Sequence, residues 1–150
     1  MTINQVIEIV NPLVNENHQF DIDLAEMNNQ NGSQYYRQII NQNVQESYGI
    51  YLVFDQINNE ILYIGKGGTL KNDGTFKEQN LNGRLLASRG AQYPTSHEYF
   101  MHKMNQNNYQ ILRFYIFYSN QTIPPAYIEA VLLFNFYNIN NSLPTLNNEF

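Results

Sequence analysis

Two short runs constrain this chain more than anything else in it. Residues 49–55 and 60–65 are both rich in aromatic and β-branched side chains, and residues 56–59 between them read as a turn. That pattern predicts an antiparallel hairpin. With the turn centred near Ile57, Tyr51 falls opposite Tyr63 and the two phenols share one face. A slip of one residue would send them to opposite faces. Residues 111–118 form a third run of the same kind and predict a third strand. Between and around these runs the apolar spacing turns helical. Tyr36, Ile39, Ile40 and Val44 mark a helix over 33–45 capped by Ser33, and two more are expected over 81–90 and 96–105. Pro124 and Pro125 open a helix over 125–137 that is apolar nearly all round, which predicts a central buried helix with Glu129 as its lone charge. Residues 3–10 and 18–24 alternate weakly and are read as marginal strands. The fold class expected is α+β: a small three-stranded antiparallel sheet flanked by helices.

Composition narrows the function classes. A chain of 150 residues has room for one substantial core. Thirteen acidic against eight basic residues give a net charge of -5, which argues against a protein that coats DNA by bulk charge. The absence of cysteine excludes a disulfide scaffold, a thiolate zinc site and a cysteine nucleophile. No apolar run approaches the roughly 20 residues needed to cross a membrane, and the start lacks a signal-peptide pattern, so a cytoplasmic protein is expected. The 24 asparagines are read as loop and surface filler, because apolar residues recur periodically between them. Asp21, Asp23 and Glu26 are read as a solvated acidic face rather than a metal cluster.

Four features carry chemistry: the paired tyrosines, the turn Lys66, Gly67, Gly68, the arginine Arg84, and Glu129. A carboxylate in an apolar helix needs a cation, either a basic side chain or a divalent metal, unless it merely favours the helix dipole. The segment 66–89 holds Lys66, Lys71, Lys77, Arg84 and Arg89 against Asp73 and Glu78, a local net of +3 on an acidic body. Such a patch positions a phosphodiester while the rest of the surface discourages unspecific binding.

These residues together resemble the GIY-YIG nucleases. Gly49, Ile50, Tyr51 and Tyr63, Ile64, Gly65 are similar to the two name-giving motifs. The family's helix arginine falls on Arg84, its metal-binding glutamate on Glu129, its late asparagine on Asn147 after Leu146, and a lysine after the second motif on Lys66. The resemblance spans about 49–148 and sets residues 1–48 apart as an N-terminal extension with an amphipathic helix, in one compact unit overall. Two departures stand out. Ser88 occupies the position where many members have a histidine, leaving His97 or His102 as substitutes, and the loop 66–83 is longer than in compact members.

The resemblance implies a DNA endonuclease of restriction or mobile-element type with one Mg²⁺ (or Mn²⁺) on Glu129. Tyr51, or else Tyr63, would deprotonate the attacking water with Lys66 favouring phenolate. Arg84 would hold the scissile phosphate and Asn147 the local geometry, while Lys71, Lys77, Arg89 and His97 would contact DNA. The competing expectation is a catalytically inert module on the same fold that binds nucleic acid or protein. An unrelated small-molecule enzyme built on a tyrosine–lysine pair is a third. The sequence leaves the target site, the oligomeric state (a homodimer or an additional DNA-binding domain) and the natural C-terminus open.

Overall fold

The computed structural model describes residues 1–77, 79–120 and 122–148. Helix α1 (Ile3–Val10) leads through a 3₁₀ turn (Asn11–Leu13) into strand β1 (Val14–Asp23), followed by helices α2 (Leu24–Met27) and α3 (Gly32–Asn43). Strands β2 (Gly49–Asp55) and β3 (Glu60–Gly67) come next. Helices α4 (Leu81–Leu86) and α5 (Ser96–Asn107), strand β4 (Ile111–Ser119) and helix α6 (Pro125–Asn140) complete the order. Among the described residues, no helix is long and apolar enough to cross a membrane.

The sheet has four strands, not the expected three. All pairings are antiparallel and the order is β1-β4-β2-β3. The added strand comes from the N-terminal segment, where β1 pairs along the whole of β4 from Val14↔Ser119 to Asp23↔Ile111. It hides in the sequence because it is a polar edge strand: only Phe20 and Ile22 of its ten residues are buried. The acidic residues noted there have structural partners. Asp21 takes both arms of Arg113 across the ladder, at 2.7 and 2.9 Å, and Asp23 accepts from the Ala25 N–H at the start of α2. Residues 3–10 are a helix rather than a strand. Ile3, Val6, Ile7 and Val10 lie at helical spacing, and Thr2 and Gln5 close a capping box.

The central strand β2 is buried at every residue, because both faces of the sheet are covered. Tyr51 and Val53 face α3, α4 and α5 with Tyr36, Ile40, Leu85, Phe100 and Phe114. Ile50, Leu52 and Phe54 face α1 and α6 with Val6, Val10, Ile128, Leu132 and Phe136. Helix α6 therefore covers one face of the sheet and is not buried all round. Ile128, Leu132, Leu133 and Phe136 point inward, while Tyr127, Phe134, Tyr137 and Ile139 are among the most exposed large apolar residues. Leu132→Ala is expected to cost about 3 kcal/mol through the cavity it leaves, whereas Phe134→Ala changes stability by no more than about 0.5 kcal/mol. Urea unfolding of the two variants checks this difference.

Candidate nucleic-acid interface

The hairpin register differs from the one inferred. Asp55 pairs with Glu60 and Phe54 with Ile61, but Val53 pairs with Tyr63 and Tyr51 with Gly65, so Leu62 is the extra residue of a bulge in β3. Tyr51 and Tyr63 are diagonal neighbours instead of direct partners. They still share a face, with ring centroids 5.5 Å apart and planes at 29°. Without the bulge, Tyr63 would oppose Leu52 and point to the other face. Gly65 makes the stack possible: a Cβ there would come within 2.4 Å of Tyr63 Cε1 and 3.0 Å of the Tyr51 hydroxyl.

β3 is an outer strand of the sheet, and the residues singled out in the sequence meet around its edge, not on one face. Tyr63 comes from the α4 side. Lys66 points to the other side, where its Nζ donates to Glu129 Oε2 on α6 at 2.6 Å. Arg84, on the last turn of α4, completes the wall. A cavity of about 610 Å³ is lined by Tyr63, Lys66, Thr69, Lys71, Lys77, Gln79, Arg84 and Glu129. A second, of about 360 Å³, shares Tyr63, Lys66, Arg84 and Glu129 with it and runs on to Arg89, Tyr99, Asn147 and Asn148. The two form one open groove. Among the described residues, no carboxylate lies within 4 Å of Arg84, Lys71 or Lys77.

The loop after β3 is more ordered than its composition suggests. Leu70 bridges to Phe76, the Lys71 N–H donates to the Thr75 carbonyl and the Lys77 N–H to the Thr69 carbonyl, which makes a small hairpin flap. Phe76 anchors it by stacking on Tyr48 at 4.5 Å. Glu78, counted in the positive patch, lies outside the described residues. Thr69 and Gln79 were missed as groove residues; their only signal was their place beside the two lysines.

Asn147 reaches the groove wall, but its amide is engaged by the strand edge. Its Oδ1 accepts from the Ile64 N–H at 2.9 Å and its Nδ2 donates to the Ile64 carbonyl at 2.8 Å, so its amide pairs with β3 as another strand would. The candidate histidines are not brought to the groove. His97 is packed against Tyr36 and bonds the Met27 carbonyl, and His102 lies beside Tyr93. Ser88, where a histidine had been sought, bonds the carbonyls of Gly90 and Tyr93 in a turn after α4. Arg89 follows in that turn, outside the helix expected to carry it, and folds inward under the tyrosines. Tyr51 is fully buried. Burial pushes its phenol far above the usual tyrosine range, against the pull of Arg89.

No protein-family model, curated protein or solved structure matches the chain. The site therefore has to be judged on its own chemistry. Among the described residues, no three or more histidines, aspartates and glutamates stand together as metal ligands. Among the described residues, Glu129 is the single carboxylate lining the groove, and its Oε2 already holds the Lys66 ammonium. A lone paired carboxylate is not a donor set that fits Mg²⁺ or Mn²⁺, hard cations that prefer several oxygens. Of the two cations the sequence allowed for Glu129, the structure supplies the basic side chain.

Proposed function

We propose that the groove along the outer edge of β3 binds the phosphodiester backbone of DNA, in a non-hydrolytic binding module on a GIY-YIG-like layout. The observation that carries this reading is the set of cations, Arg84, Lys71 and Lys77, that line one open cavity of a protein with net charge -5 and have no ion-pair partner among the described residues. Arg84 supplies a planar fork for phosphate oxygens, and the flap lysines act as point charges along the strand. The Lys66–Glu129 pair and the buried, hard-to-ionise Tyr51 both favour binding without cleavage.

Cleavage is the second reading, and one observation favours it: half-buried Tyr63, Arg84 and Glu129 line the same cavity. In that reading Tyr63 orients the attacking water and Arg84 offsets charge on the phosphate.

Fluorescence anisotropy with a labelled DNA duplex, run in EDTA at several salt concentrations, tests the binding reading. Wild type is expected to bind with a steep salt dependence, and Lys71→Ala and Lys77→Ala each to reduce the log–log slope by about 1. Absence of binding to duplex at low salt would refute it. A plasmid-nicking assay with Mg²⁺ or Mn²⁺ decides between the readings: cutting that Glu129→Ala and Tyr63→Phe both abolish establishes cleavage.

A further inference from the structure

Arg89, at the wall of the groove, is turned inward. Its Nη2 donates to the Tyr51 hydroxyl at 2.7 Å, and its Nε donates to Ser96 Oγ at 3.3 Å. Ser96 is fixed in turn, donating to the Ala87 carbonyl at 2.6 Å. The guanidinium carbon lies 6.0, 5.6, 5.5 and 5.4 Å from the ring centroids of Tyr51, Tyr63, Tyr99 and Phe100. Among the described residues, no carboxylate is within 4 Å of it. A largely buried charge is expensive, and among the described residues only phenol and hydroxyl oxygens and ring faces offset this one. Arg89 also reaches the wall of the smaller cavity, beside Tyr63 and Arg84.

We propose that Arg89 is the positioning residue of the groove floor. By gripping the Tyr51 hydroxyl and lying against the ring of Tyr63, it holds the tyrosine stack in the orientation that presents Tyr63 to a bound phosphate. Its positive charge adds to the attraction that phosphate feels. Tyr51 is thus a buried strut between Arg89 and Tyr63. The second half of the proposal rests on the DNA-binding reading, whereas the grip on the tyrosines does not.

The test uses the full chain with tyrosine labelled at ¹³Cζ, its resonances assigned with Tyr51→Phe and Tyr63→Phe, alongside anisotropy with the labelled DNA duplex. Arg89→Met is expected to move both the Tyr51 and Tyr63 resonances and to weaken duplex binding about tenfold. Arg89→Lys keeps the charge without the fork. It is expected to leave Tyr51 shifted and to recover affinity to within about threefold of wild type, which also covers the case of a methionine variant that does not fold. A folded Arg89→Met whose Tyr63 resonance stays in place overturns the proposal, and so does one whose resonance shifts while affinity stays at the wild-type value. If Arg89→Met does not fold, an Arg89→Lys whose Tyr51 resonance stays in place overturns it. Should wild type bind no duplex, the reading of the groove falls with the phosphate half of the proposal, and the resonances alone decide the grip on the tyrosines.

Discussion

Gly49→Ala is expected to cost about 3 kcal/mol of folding stability, a large share of the roughly 5–15 kcal/mol that holds a domain of this size together. A Cβ at Gly49 would lie 2.0 Å from the Phe117 carbonyl oxygen and 3.0 Å from Phe117 C and Tyr118 Cα. These are backbone atoms of β4, which β2 pairs with from Gly49↔Tyr118 onward, so nothing there can swing aside. Relief requires opening the ladder at the middle of the sheet, where every β2 residue is buried. Gly65→Ala makes a useful contrast. Its Cβ meets the ring of Tyr63, a side chain that can move, so the loss should fall on groove geometry more than on stability. Urea denaturation with matched slopes checks the first variant, and a Gly49→Ala midpoint equal to wild type would show that the strands can part freely.

The second large effect concerns the pair that closes the groove. Lys66→Met leaves Glu129, with 18% of its side chain exposed, facing incoming phosphates without its cation. Removing one partner of such a pair costs more than removing both. Duplex affinity is expected to fall about thirtyfold, near 2 kcal/mol. Glu129→Gln frees the ammonium for a phosphate oxygen and should raise affinity about threefold, while the double variant should lie between the two single variants. Anisotropy at one fixed salt concentration measures all four proteins. If Glu129→Gln weakens binding as much as Lys66→Met does, Glu129 contacts the nucleic acid itself and the pair is not a counter-ion arrangement.

Much of the layout was legible in the residues. The hairpin, the strand over 111–118 and the helices beginning near residues 33, 96 and 125 follow from periodicity and local chemistry, and each is present close to its expected bounds. What failed did so for identifiable reasons. Strand β1 is polar because an edge covered over only part of its length needs few apolar residues, so its signal was too weak to count as a strand of the sheet. Helix α6 is apolar on both sides, and composition cannot say which side is covered. Arg89 was assigned to the solvent-facing patch because its sequence neighbours give no sign that four aromatic rings converge on it.

Local sequence determined which side chains exist to do chemistry: the two tyrosines, Lys66, Arg84, Glu129 and Asn147. Only tertiary structure decided how they meet. The bulge at Leu62 returns Tyr63 to the face of Tyr51, because one extra residue reverses the side-chain alternation of a strand. The position of β3 at the outside of the sheet then lets residues from opposite faces share one groove, which no spacing along the chain encodes. The partner of Glu129, a lysine 63 positions away, depended on α6 packing across the sheet. Burial left that carboxylate in need of a cation, and the fold brought one within reach.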